Sequence, residues 1–507
     1  MKRFVLLLIC LVCFSHPTNA EQMNSLEKSL SAGNADGLVS MSIDENLRFL
    51  PDFSAYSELA KIETDEKNSY YCARDGVLYS KDLKTLICYP TQKENEIFVL
   101  PGEVENILSG AFSGNDNIKE VQIGEKLKSL GANPFSGCRS LRKIEVSEKN
   151  SFFASENGIL YNKDKTECIA CPAFLKKAEL PKTLKTVSYQ AFSGCRRMRK
   201  ITLPEGVEKI ESMAFEGCTA LYSMTLPKGV KNVNASAFVG CRNLEYINSE
   251  SDYFKSIDGI LYSYDMRDLI CCPNGKWGRI VLPDGVVNIA NGAFSHCKKI
   301  TEVRFPESVE YIACAFENCE SLENISLPKT QAIIEYGTFY GCKNLEWVYL
   351  PGNVVIVQND AFSGACPVIY CDEDSFASYF AEENNFIYRY KYNIISNGEI
   401  LCFSNQPYCE DGEIYIPLCE TLTQMGGNAN IDYSTKAPVG ELGEISFVLT
   451  DKRVQKTRKK QTEIIDGIDE VSAENEVYIN IDDFARIFDM EQNRANYNVE
   501  FTKRDVT

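Results

Sequence analysis

The chain predicts a mainly β fold with short helices: a solenoid of about 23-residue repeats with β-hairpin inserts, then a small α+β domain. Three observations carry this prediction. A phenylalanine recurs at Phe112, Phe135, Phe192, Phe215, Phe238, Phe294, Phe316, Phe339 and Phe362, with gaps of 23, 57, 23, 23, 56, 22, 23 and 23 residues. A cysteine follows three residues later as Cys138, Cys195, Cys218, Cys241, Cys297, Cys319 and Cys342, with Cys366 one residue late and Asn115 in the first repeat. The period disappears after Tyr390. A spacing held this tightly is the mark of units that stack one on the next.

From the N-terminus, Lys2 and Arg3 precede an apolar run from Phe4 to Phe14 that is too short to span a bilayer. Thr18 and Ala20 fit a small-residue cleavage site, so residues 1–20 read as a secretory signal peptide. Residues 21–50 are expected to form an N-terminal cap and 51–390 the solenoid. Each repeat, as in "MRKITLPEGVEKIESMAFEGCTA" (198–220), alternates apolar and polar residues as a half-buried strand does. Pro and Gly then mark a turn, a short second extended stretch follows, and Ala-Phe closes the coil. The two long gaps hold "FFASENGILYNKDKTECIACP" (152–172) and "YFKSIDGILYSYDMRDLICCP" (253–273), and a third copy, "YYCARDGVLYSKDLKTLICYP" (70–90), precedes the first repeat. Each reads as one further coil carrying a β-hairpin. "LAKIETDEKN" (59–68) matches "LRKIEVSEKN" (141–150), which points to duplication of a larger block. "VIYCDEDSFASYFAEENNFIY" (368–388) gives a last strand and an amphipathic helix placed to cap the core.

The recurring frame Pro-x-x-Val-x-x-Ile-x-x-x-Ala-Phe-x-x-Cys resembles the BspA-like leucine-rich repeats of secreted and surface proteins, over about residues 50–390. The resemblance implies a right-handed leucine-rich-repeat solenoid with a parallel sheet on one face. It also implies adhesion or ligand binding, and no catalysis. Residues 391–507 carry a second pattern, in which "EIYIPLCETLTQMGG" (413–427) and "EVYINIDDFARIFDM" (476–490) each read as a strand followed by a helix. Leu418, Leu422 and Met425 form the apolar face of the first helix, and Ile481, Phe484 and Phe488 that of the second, giving two ββα-type units. With Asn397, Gly398, Phe403, Pro407, Tyr408 and Ile416-Pro417-Leu418, this region resembles the copper amine oxidase N-terminal-like module. Cys419 stands where that family has an arginine, and Asn480 replaces Pro417 in the second copy. Copper chemistry does not follow, because it needs three histidines and this region has none.

Composition narrows the function. A net charge of −18 and a pI near 4.9 argue against nucleic acid or an anionic membrane as the main partner. The only histidines are His16 and His296, so His-dependent catalysis has one residue to use beyond the expected signal peptide. Of 21 cysteines, 19 follow it, which in an exported chain raises the question of a disulfide framework. Equivalent residues of adjacent coils lie about 4.8 Å apart with parallel Cα–Cβ vectors, whereas a disulfide needs converging side chains. The expectation is a structural ladder, with disulfides or metal ligation as the alternatives. "CIAC" (Cys168, Cys171) has the spacing of a zinc or redox motif but lacks two further ligands. His296 occupies a slot where Gly is usual and reads as a turn residue. "KRVQKTRKK" (452–460) reads as a solvated hairpin face or as a docking patch for an anionic wall polymer.

The candidate binding surface is the outward set on the repeat strands. One column runs Gln122, Glu145, Thr202, Thr225, Asn248, Arg304, Ser326, Tyr349, and its neighbour Glu120, Lys143, Lys200, Ser223, Tyr246, Glu302, Asn324, Trp347. Trp347, Tyr349, Tyr246, Tyr222 and Arg304 are the candidate binding residues, since interfaces enrich exposed aromatics and arginine; ordinary strand surface is the other reading. The sequence therefore predicts a secreted or cell-surface binding or adhesion protein with no enzyme activity, cofactor or metal. Its partner is a host or neighbouring-cell protein or a surface glycan. The alternative is a structural envelope component whose C-terminal domain engages the cell wall.

Overall fold

A computed structural model describes residues 37–372, 374–390 and most of 393–503. The expected signal peptide, residues 21–36 of the expected cap, Asn397, Gly398, Phe403, Lys459 and Lys460 lie outside the described residues. The chain is mainly β, a solenoid with a spacing of about 23 residues, and the described residues hold three short α-helices: α1 (Phe376–Glu383), α2 (Leu418–Gln424) and α3 (Ile481–Phe488). It divides into two compact units. One runs through Trp277 and includes 286–299 and 315–319; the other comprises 278–285, 300–314 and everything from 320 on.

In the first unit the repeating phenylalanines stack into columns inside the coils. Ring centroids are 5.1 Å apart for Phe192–Phe215, 5.5 Å for Phe215–Phe238 and 5.0 Å for Phe294–Phe316, with the planes within 19° of parallel. All five rings are fully buried, and each contributes about 1.5–3 kcal/mol of transfer free energy. Where one repeat follows another the cysteine thiol donates to the carbonyl of the phenylalanine one coil earlier: Cys138 to Phe112 (3.0 Å), Cys218 to Phe192 (3.2 Å), Cys241 to Phe215 (3.0 Å) and Cys319 to Phe294 (3.1 Å). After an insert, Cys195 and Cys297 donate instead to the carbonyls of Cys171 (3.7 Å) and Cys272 (3.5 Å). Asn115 does the same work at the first repeat, its Nδ2 donating to the Pro90 (2.7 Å) and Lys93 (3.1 Å) carbonyls. The second residue after the phenylalanine is left-handed in each of these copies. Gly114, Gly137, Gly194, Gly217 and Gly240 have φ between 65° and 77°, and His296 and Asn318 accept the same conformation at 63° and 58°. That is why glycine dominates the slot.

The inserts act as junctions. Each is a three-stranded antiparallel meander, one strand more than the hairpin read from sequence, for example Phe153–Glu156, Ile159–Asn162 and Glu167–Ala170. The first turn holds Asp75-Gly76, Asn157-Gly158 or Asp258-Gly259, all with positive φ, as a two-residue hairpin turn demands. Its glycine carbonyl takes the amide of the preceding repeat strand: Gly76 from Ile62 (3.0 Å), Gly158 from Ile144 (2.9 Å), Gly259 from Ile247 (3.0 Å). The meander tip thus fills the place of the next strand and ends the parallel sheet behind it. The third strand of the meander opens another parallel ladder ahead, as in Cys168 opposite Val187, Val187 opposite Ile210 and Ile210 opposite Val233. The strand-face sheets are consequently short: Ser40–Ile43 with Lys61–Thr64, then Ile97–Val99, Glu120–Ile123 and Lys143–Val146, then Ser223–Leu226 with Tyr246–Ser249.

In the second unit Lys299–Arg304, Asn324–Ser326, Trp347–Leu350, Val368–Cys371 and Tyr388–Tyr390 continue one parallel sheet. Helix α1 ends this array as expected: Phe362 meets Phe386 edge-on (5.6 Å) and Phe380 at 6.4 Å. Beyond it, two hairpin-plus-helix units ending in α2 and α3 are joined through their pre-helix strands, with Tyr415 opposite Asn480 and Pro417 opposite Tyr478. Leu418, Leu422, Ile481, Phe484 and Phe488 fill their shared core, with Met425 packed against it. Between the two units lies a five-stranded antiparallel sheet from Asn428 to Asp466 that the sequence reading did not anticipate. "KRVQKTRKK" supplies its strand Arg453–Arg458, with Arg453 paired to Asp466 at 2.7 Å.

Phe215→Ala should lower unfolding free energy by about 3–5 kcal/mol, the cost of emptying one buried ring site, measured by chemical denaturation. In the denatured, unreduced protein every cysteine should titrate as a thiol, 19 in a chain cut after Ala20.

Candidate functional site

The buried thiols of the coils are not poised as nucleophiles. Cys88, Cys138, Cys168, Cys171, Cys195, Cys218, Cys241, Cys271, Cys272 and Cys297 are buried and unbridged. Burial pushes the thiols of Cys138 and Cys168 well above their ordinary range, raises that of Cys171, and pushes that of Cys88 up to about 12. A thiolate nucleophile needs the opposite shift. The "CIAC" pair sits inside the coil, with Cys168 facing Val187 across a ladder. Among the described residues no group of three or more His, Cys, Asp or Glu is placed to hold a metal. His296 is a half-buried turn residue whose backbone amide donates to Glu317 (2.8 Å).

The strand face has the register expected from the spacing. Gln122 lies opposite Glu145, Thr225 opposite Asn248, Ser223 opposite Tyr246, Asn324 opposite Trp347 and Ser326 opposite Tyr349. Tyr222 and Tyr246 come together on the first unit, with ring centroids 5.7 Å apart, and are 49% and 36% exposed. Lys276 packs on Tyr246: its ammonium lies 4.9 Å from the Tyr246 ring centre and 3.1 Å from the Asp258 carboxylate at the meander tip. The lysine side chain is largely buried, so its cation–π contact is of the stronger, desolvated kind. Gly259 brings the tip onto the same ring; a Cβ there would lie 2.8 Å from the Tyr246 Cα, so only glycine fits. Trp277, next to Lys276, is 69% exposed. The sequence reading missed it, although one of only two tryptophans placed just after an insert was an available signal.

The other three predicted residues are used differently. Arg304 and Arg279 both pair with the mostly buried carboxylate of Glu302, so Arg304 is bound within a surface network. Tyr349 is 5% exposed, which corrects its expected outward placement. It packs with Tyr370 and Tyr415 in a cluster that Trp347, Val368 and Tyr478 complete, and its hydroxyl donates to Asp372 (3.1 Å). Trp347 meets Tyr370 edge-on at 5.7 Å and is half-buried. The physical reason is that Tyr415 and Tyr478, from the two pre-helix strands of the C-terminal region, cover these rungs. The last aromatics of the column form an internal joint of the second unit, while Tyr222, Tyr246 and Trp277 stay exposed.

With that geometry in hand, comparison with known proteins places the repeats. The model of the BspA type leucine-rich repeat region matches residues 87–174, 165–264 and 270–383, more than half of the chain. The chain belongs to the BspA-type leucine-rich repeat family. The match stops short of residues 391–507, whose resemblance to the copper amine oxidase N-terminal-like module gains no support from it. No curated protein matches. Among solved structures, a leucine-rich cell surface protein from Faecalibacterium prausnitzii is 22% identical (TM-score 0.42), covering 61% of this chain and 97% of that one. A leucine-rich repeat protein from Eubacterium ventriosum is 22% identical (TM-score 0.38), covering 66% and 84%. The pneumococcal vaccine antigen PcpA is 18% identical (TM-score 0.31), covering 69% and 77%.

Tyr349→Ala should destabilise the protein by about 3–5 kcal/mol, as removal of a buried aromatic does. Tyr222→Ser should leave the melting temperature near the parent value, since scattered surface substitutions fall within about 0.5 kcal/mol. Paired thermal melts check both.

Proposed function

We propose that this is a secreted or cell-surface, non-enzymatic binding protein, which presents its strand face to a macromolecular ligand outside the cell. The observation that carries the reading is the exposed Tyr222–Tyr246 pair, in which Tyr246 is packed against Lys276 and the meander tip. Aromatics held in one conformation supply contact area without the entropy cost of ordering on binding. The buried, protonated thiols and a single histidine beyond residue 20 leave a catalytic role little to work with. The partner is a protein or glycan of a host or neighbouring cell. Residues 391–507 position the repeats or hold the protein at the envelope, a role consistent with the aromatic joint that ties them to the last coils.

The test is capture by the intact chain of purified extracellular-matrix proteins and wall polymers, assayed in parallel. Tyr222→Ser/Tyr246→Ser should weaken capture at least about tenfold, the scale of two lost interface anchors, while thermal melts stay unchanged. Capture that is unaffected removes this face as the binding surface. Quantitative retention in a wall pellet that ignores the double substitution favours the structural envelope role instead.

A further inference from the structure

The chain carries many of its surface cations in pairs. Lys119 meets Glu96, Lys84 and Lys128 share Glu105, Lys185 and Lys231 share Glu208, and Arg279 meets Glu302, each across one coil. One cluster departs from this pattern. Residues 176–180 and 199–203 are the first two rungs after the second insert, and the 23-residue spacing sets Lys176 against Arg199 and Lys177 against Lys200. The same rungs after the first insert set Glu96 against Lys119 and ladder Ile97–Val99 onto Glu120–Gln122. After the second insert neither rung enters a sheet, as like charges directly opposed across a strand pair predict.

A cleft of about 840 Å³ opens at this break, lined by Lys176, Lys177, Arg196, Arg197, Arg199 and Lys200, with Glu179 the one carboxylate among its lining residues. All six cations are exposed, and no ion pair holds any of them among the described residues. Arg197 and Arg142 both lie over the Phe174 ring, at 4.0 and 4.3 Å from its centre, which fixes two guanidiniums on one apolar platform beside the cleft. Six like charges lining one cleft repel one another, a cost that a bound anion removes. Tyr222 lies two residues from Ala220, which also lines the cleft.

We infer that this cleft binds an extended anionic polysaccharide bearing sulfate or phosphate groups. The cations come from two neighbouring rungs and the turn between them, so the ligand must present charge along both edges. A sulfated sugar chain does so, whereas an extended peptide turns every second side chain away from the surface. Three of the six cations are arginines, whose planar guanidinium can meet a sulfate or phosphate group bidentately. The inference deepens the binding role proposed above by naming a ligand class for a neighbouring part of the same face.

The experiment titrates the intact chain with heparin hexasaccharide at low and raised salt, with oligothymidylate and polyglutamate as competing probes. The expected result is salt-sensitive binding of the heparin probe, tighter than either competitor. Lys176→Glu/Lys177→Glu, which restores the opposite-charge arrangement seen at Glu96–Lys119, should weaken it about tenfold or more and leave the melting temperature equal or higher. Arg196→Gln/Arg199→Gln, on the exposed turn and rung, gives a second variant should the first misfold. No heparin binding, binding unchanged in either folded variant, or tighter binding of oligothymidylate or polyglutamate overturns the inference. Because Tyr222→Ser/Tyr246→Ser leaves these cations in place, loss of ligand capture there with heparin binding intact, or the reverse, separates a failure of the wider reading from a failure of this one.

Discussion

The structure rests on one buried turn repeated along the chain: a phenylalanine ring stacked on its predecessor, and a thiol three residues on that donates to a backbone carbonyl one coil back. A coil interior has carbonyls pointing inward that no ladder reaches, and an unpaired buried carbonyl is costly. Cysteine is small enough for the space between stacked rings and still carries a donor. Asn115 shows that the requirement is the donor rather than sulfur. Because ring and donor belong to one turn, the spacing between successive turns cannot drift, and strand register follows from it.

The inserts convert that regular array into blocks. A meander tip supplies the carbonyl that the next strand would have offered, and its third strand begins the ladder on the other side. The break after each insert exposes side chains that a continuous sheet would pair. After the first insert Ile97 and Val99 stand exposed, and at the third Trp277 does, while at the second the exposed residues are cations. Surface chemistry on this face is therefore set mainly by where the sheet stops, and only secondarily by which residue sits in a given column.

Most of the fold was legible because the nine phenylalanines fix the coil length and the alternation in L-x-x-I-x-L fixes the strand. The register of the outward columns followed from the same count and agrees at Ser223–Tyr246 and Ser326–Tyr349. What the period could not give was which outward positions stay outward. Tyr349 has the same pattern as Thr225, yet it is buried by Tyr415, a residue 66 positions away that belongs to no repeat. The five-stranded sheet between α2 and α3 escaped notice because strands such as Arg453–Arg458 are mostly polar, so their alternation is faint. The basic cleft was missed for a different reason. The run Arg196, Arg197, Arg199, Lys200 was visible in one short window, but Lys176 and Lys177 join it only when rungs 23 residues apart are laid side by side.

The interrupted sheets bear on how the protein would respond to force. In an unbroken parallel sheet a load on the chain would be shared along the whole array, and failure would be a single event. Here both ladders restart at each meander, so hydrogen bonding is divided into short segments joined by apolar contacts and by the single amide-to-glycine bond at each meander tip. Neighbour-only coupling of this kind lets one segment open while the others stay closed. A tether built this way would lengthen in steps under tension, absorbing work at each step and keeping hold of whatever its remaining blocks had bound.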